Sequence, residues 1–343
     1  MPLWGDDDVP KFSMDKPRFD MSTYWGRFQH FISITNPGGL LLTQDKLRDA
    51  VQKLEAYKAG GNIPPSGVTD AEMWRARLTH SIMVHPDTGE EIPYVFRMSF
   101  FAPANIPIAV GMVMFGQSTG AQLFWQLANQ VYNAGVNFAN RNATVEVTNT
   151  EALTSLAAAS SLACGMAFAM GRVAKRVAAN PARSPAFKAA VGRLVPLTAV
   201  AAAGAFNAMA MRYKEGLNGI DVYDEEGHVY GKSVAAGRMG LLQVAATRVV
   251  LPIPILLMPP YIIDALKRLP ALQSALLRAP RAVGLPLELS VIVACILVAL
   301  PGAIALFPQE VSVDPAWLEP EFQNLTQPST GAPVKTLIYN KGM

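Results

Sequence analysis

Apolar residues in this chain fall into two regimes. Up to Arg97 they are spaced at helical intervals among charges and aromatics, and beyond it they gather into long blocks separated by short basic stretches. In the first regime Thr43, followed by Gln44 and Asp45, starts a helix in which Leu47, Val51, Leu54 and Tyr57 recur at helical spacing, and Gly60-Gly61 stop it. A second helix starts at Thr69 with Glu72 as its reciprocal capping partner. It aligns Trp74, Leu78 and Ile82 on one stripe and ends before Pro86. The pattern predicts a helical module over residues 1–98, lying in water or on a membrane surface.

In the second regime five blocks have the length and apolarity to cross a bilayer, whose core takes about 20 helical residues: 99–117, 152–170, 194–211, 239–266 and 285–307. They define a transmembrane domain over 99–308, followed by a tail over 309–343. The fourth block is long and carries Pro252, Pro254, Pro259 and Pro260, each of which removes a backbone donor, so a broken helix is predicted there. A discontinuous helix is a usual place for a solute path, and the alternative is a re-entrant or kinked packing element.

Between the first two blocks lies a segment of a different kind. At about 100° per residue, Gln126, Asn129, Gln130, Asn133, Asn137 and Asn140 fall within one sector of roughly 120°, while Phe124, Leu127, Val131 and Phe138 point the other way. The predicted element is a helix with an uncharged amide face. Such a face offers donors and acceptors without fixed charge, and these can replace part of the hydration shell of a small zwitterion or polyhydroxyl compound. Interhelical hydrogen bonding is the competing role, although two or three amides suffice for that. A helix lying in the headgroup plane is a poorer match, because its polar face would be rich in Lys and Arg.

Composition agrees with the membrane assignment: 51% of residues are hydrophobic and 16% charged, against roughly a quarter charged in soluble domains. The net charge of +3 is small and shows no basic field with interleaved aromatics, which argues against nucleic-acid binding. Charge position is more telling than charge sum. The connection 171–193 carries Arg172, Lys175, Arg176, Arg183, Lys188 and Arg193 with no acid, and 267–281 carries Lys267, Arg268, Arg278 and Arg281, again with no acid. Two spans separate them, so both face the same side, as the positive-inside rule expects. With five spans the N-terminal module shares that side and the C-terminus lies opposite; if 122–140 also crosses, the N-terminus changes side.

Other chemistry is sparse. Cys164 and Cys295 sit in apolar blocks without ligand spacing, so packing is their expected role and no metal or cofactor is predicted. The segment 1–20, with Asp6-Asp7-Asp8 and no apolar core, lacks the pattern of a secretory signal or an Arg-rich transit peptide. No phosphate loop, catalytic triad or zinc pattern is present, and the chain is not expected to be an enzyme. Arg248, inside the fourth block, is a functional candidate by its cost alone, pairing either a substrate carboxylate or a neighbouring group. Asn207 lines a path or braces helices, bracing being the simpler role, and Glu288 sits at an interface. His85-Pro86-Asp87-Thr88-Gly89-Glu90 has the composition of a tight turn.

These residues also carry a resemblance. His85-Pro86-Asp87-Thr88-Gly89-Glu90, then Arg97-Met98-Ser99, Phe124-Trp125-Gln126, Asn129-Gln130, Asn133-Ala134 and the run Asn137 to Arg141 resemble the sideroflexins in content, order and spacing. The stretch from Phe19-Asp20 to Asn36-Pro37 and the Pro-rich fourth block match as well. The resemblance implies an all-α, multi-pass protein of the mitochondrial inner membrane, inserted through internal signals, that carries serine and related small neutral amino acids. The amide residues with Arg141, Asn207 and Arg248 then form the expected path, with alternating access gated by the Pro-broken block. Family links to iron homeostasis and respiratory-complex assembly imply a second role, that of a membrane scaffold with membrane-protein partners. At Phe138-Ala139 the chain departs from the Tyr-Thr pair common in the family and so lacks two hydroxyls.

Overall fold

The computed structural model describes residues 9–86, 88–112, 118–140 and 148–341. They form two compact units. One comprises the described residues up to Trp125 with Phe138–Asn140 and Met258–Leu306; the other comprises Gln126–Asn137 and the described parts of 141–257 and 307–343.

The first unit opens with three short helices, α1 (Tyr24–Thr35), α2 (Gln44–Ala59) and α3 (Asp70–Met83), each started by a threonine N-cap. At α3 the predicted capping box is complete: Glu72 accepts from the Thr69 amide at 2.8 Å, and the Glu72 amide donates to the Thr69 hydroxyl at 3.3 Å. Both orphan donors of the helix start are thereby satisfied. Leu54 and Tyr57 of α2 close on Met73 and Trp74 of α3 over Phe12, whose ring meets Tyr57 and Trp74 edge-on at 4.8 and 4.9 Å. A longer helix of the same unit, α13 (Pro280–Ile304), receives α1 at its C-terminal end. There Arg27 donates through Nε to the Ala305 carbonyl at 2.8 Å, and the Tyr24 hydroxyl donates to the Gly302 carbonyl at 3.3 Å. A cation over the last carbonyls of a helix satisfies acceptors that have no partner along the helix and complements its dipole.

The described part of the first apolar block is short: helix α4 spans Phe101–Val110, within an apolar stretch Met98–Val110. The amide-bearing helix α5 (Thr119–Ala139) follows. Asn140 donates to the Phe96 carbonyl at 2.9 Å, joining the end of α5 to the start of α4, and the Trp125 ring occupies the space where a Cβ on Gly111 would project.

In the second unit α6 (Asn149–Ala179) and α7 (Pro185–Met211) pack as an antiparallel pair. The short α8 (Tyr213–Asn218) leads into the hairpin β1 (Ile220–Tyr223) and β2 (Val229–Ser233), and then into α9 (Val234–Val250), which packs on α7 and α8. The predicted break follows: α10 (Pro252–Leu256) and α11 (Met258–Leu266) continue the apolar run in pieces, and α12 (Pro270–Arg278) precedes α13. Four helical stretches among the described residues are long and apolar enough to cross a membrane: Leu153–Ala179, Pro185–Met211, Val234–Leu266 and Pro280–Ile304. The protein is an all-α polytopic membrane protein.

One feature outside the helical pattern is a small sheet. Strands β3 (Glu310–Val313) and β4 (Leu337–Asn340) join the hairpin in the order β2-β1-β4-β3, every pairing antiparallel. Val222, Leu337 and Tyr339 bury themselves with Ile220, Ala236, Leu318 and Phe322 in a core of their own. Arg212 fastens this sheet to the helices, with two bonds to the Glu215 carboxylate at 2.7 and 2.6 Å and one to the Lys341 carbonyl.

Candidate functional site

Helix α5 is built inside out by the standard of a soluble helix. Gln126, Asn129, Gln130 and Asn140 are buried and Asn133 and Asn137 half-buried, whereas Phe124 is 61% exposed and Leu123, Leu127 and Val131 are exposed too. In water a helix buries its apolar face; in hydrocarbon the amides must turn inward, because an unsatisfied polar group there is costly. Its 21 residues measure about 31 Å at 1.5 Å per residue, which matches the thickness of a bilayer core.

Along the amide face, Asn133 donates to both the carbonyl and the side-chain oxygen of Asn129, at 2.8 and 2.9 Å. Asn137, one turn on, accepts from Nη2 of Arg248 at 2.7 Å, so the sequence-predicted cation and the amide stripe meet. Arg248 lies on α9 where that helix passes α7. Gly204 faces it so closely that an added Cβ would stand 3.7 Å from the Cβ of Arg248. The arginine Nε is buried without a hydrogen-bond partner, and no carboxylate pairs with Arg248 among the described residues. Asn207, less than a turn beyond Gly204 on α7, is 1% exposed and its Oδ1 is likewise unpartnered. The buried Gln126 leaves its Oε1 unpartnered as well.

Not every candidate joins this group. Arg141 and Asp87 lie outside the described residues. Asn140 is committed to the Phe96 carbonyl, and Glu288 is exposed in the early turns of α13. His85, Pro86, Thr88 and Gly89 form a turn: the His85 amide donates to Glu90 at 2.8 Å, the Gly89 amide to His85 at 3.0 Å, and Gly89 takes φ 68°. That conformation suits glycine. Cys164 and Cys295 are free thiols, and no metal-binding cluster occurs among the described residues. Sequence reasoning missed Gly204, whose signal is the absence of a side chain opposite Arg248, and Gln243, whose amide donates to the Tyr339 hydroxyl at 3.3 Å.

Two titratable groups outside the spans are set by their surroundings. Burial, with Arg77 adding to it, pushes the His30 imidazole of α1 down to about 4, so it is neutral at physiological pH. Burial works to raise the Glu319 carboxyl, but bonds from the Ser233 hydroxyl at 2.7 Å and the Ala235 amide at 2.8 Å outweigh it and hold the group below the usual carboxylate range. This carboxylate caps α9 from outside the helix. A cavity of about 350 Å³ in the N-terminal helices carries both signs of charge at its rim, with Lys53 bound to Asp49 at 2.8 Å.

The fold and the buried polar face define a polytopic α-helical membrane protein with an amide-lined interior. A profile of the sideroflexins matches residues 13–343. Human sideroflexin-5 is 40% identical over 98% of this chain and 94% of its own length. Mouse sideroflexin-1 is 35% identical over 97% and 98%, and the Dictyostelium discoideum sideroflexin 36% over 98% and 99%. The chain belongs to the sideroflexin family. No solved structure matches it.

Proposed function

We propose that this protein carries serine and related small neutral amino acids across the mitochondrial inner membrane. Membership in a family of transporters supports this reading, and the observation that carries it is the inward-facing amide surface of α5 joined to Arg248. Neutral amides exchange hydrogen bonds with a hydrated solute without trapping it as a fixed charge would, which suits a site that must release what it binds. The Pro-broken stretch from α9 to α11 is the natural gate, since its freed backbone groups tolerate rearrangement beside a polar path.

The test is uptake of labelled serine into liposomes holding only the purified protein. Saturable uptake, competed by alanine and cysteine and not by citrate, is expected. Replacing Asn133 and Asn137 together with Leu is expected to reduce uptake at least tenfold while membrane insertion persists. Absence of uptake from folded, inserted protein would move the assignment to a scaffold that binds membrane partners through the same face.

A further inference from the structure

Arg248 and Asn207 are an unusual pair of leftovers. Where helices α7 and α9 pass each other at Gly204, each contributes one buried polar atom without a partner: a donor, Nε of Arg248, and an acceptor, Oδ1 of Asn207. Arg248 is also a full positive charge near the middle of the apolar stretch Val234–Leu266, and its bonded partner there, Asn137, is a neutral amide. A half-buried guanidinium whose Nε is buried and unpartnered, with no carboxylate paired to it among the described residues, is a costly arrangement, and a packing role would be served at lower cost by a neutral side chain. What the site lacks is one negative group for the arginine and one donor for the asparagine. An α-amino acid zwitterion supplies both, on groups joined through a single carbon.

We propose that Arg248 binds the carboxylate of the transported solute through Nε while Asn207 accepts from its ammonium group, so that the site requires both ends of an α-amino acid. The inference rests on the carrier reading for its biological setting but concerns binding alone. Gly204, less than a turn before Asn207 on α7, faces Arg248 where the two helices pass. With both ends held, the remaining contact is the side chain, which is where small neutral amino acids differ from one another.

The experiment measures equilibrium binding to the purified full-length protein, in detergent, of serine, ethanolamine (which lacks the carboxylate) and 3-hydroxypropanoate (which lacks the ammonium). In the unaltered protein each of the latter two is expected to bind roughly a hundredfold more weakly than serine. Arg248→Gln is expected to weaken serine and 3-hydroxypropanoate while sparing ethanolamine. Asn207→Leu is expected to weaken serine and ethanolamine while sparing 3-hydroxypropanoate. Analogues that bind within about threefold of serine, or variants that lose all three ligands alike, would overturn the proposal; the comparison on the unaltered protein needs no variant to fold. Binding with the double requirement but without liposome flux would uphold this site and remove the carrier reading. Flux without the double requirement would do the reverse, and absence of both would remove both.

Discussion

At position 237 there is room for a hydrogen atom and little else. A Cβ there would overlap the carbonyl oxygen of Glu215, a backbone atom that cannot swing aside, and Glu215 is itself held by Arg212. Gly237→Ala must therefore push α9 from α8 at the point where the sheet is fastened, an overpacking cost of about 1–3 kcal/mol. We expect a lowered midpoint of thermal unfolding for the purified protein. Gly192→Ala, in α7 with open space around it, should be neutral or stabilising by up to about 1 kcal/mol because it removes a glycine from a helix. Equal effects from the two would show that the α8–α9 contact is not tight. Neither glycine stands out in the sequence, since close approach is a property of two segments and each contains only its own half. Arg248 was legible because a buried charge is expensive wherever it points, but its partner Asn137 and the missing counter-charge became visible only in three dimensions.

Among the helices, the clearest agreement between pattern and structure is α5, whose amide sector comes from residue spacing alone and whose exposed apolar face tells what surrounds it. If that face meets lipid, a charge on it is penalised as in any spanning helix. Leu127→Arg is expected to cost about 3 kcal/mol on the scale of membrane insertion, read as a marked loss of correctly inserted protein, with Leu127→Phe close to neutral. An unchanged yield for the arginine variant would mean that Leu127 faces water. The capped helices α2 and α3 and the proline break were equally readable, because capping, period and proline are local signals. The sheet was not. Its strands are only four or five residues long, and β1 and β4 lie more than a hundred residues apart, so neither carries an alternation long enough to notice.

For the molecule as a whole the sheet constrains a count. Strand β1 precedes the broken stretch, β4 follows α13, and the two are hydrogen-bonded, so the chain between Ser233 and Glu310 crosses the membrane an even number of times. Helix α13 has the length and apolarity for one crossing. If it crosses, the stretch from α9 through α11 supplies the other crossing and spans the membrane instead of re-entering it. Docking of α1 on the C-terminal end of α13 brings the N-terminal helices to the face where α13 ends. If α5 crosses in addition to the apolar blocks, the number of crossings is even, and the amino and carboxyl ends share one side while the basic connections 171–193 and 267–281 share the other, where the positive-inside rule wants them. Epitope tags at the two ends should therefore be digested together by protease added to one face of sealed vesicles. A cysteine placed at Lys188, with Cys164 and Cys295 replaced by alanine, should react with an impermeant thiol reagent only from the opposite face. Ends digested from different faces would mean an odd number of crossings and would remove α5 from the membrane interior, and with it the amide-lined path.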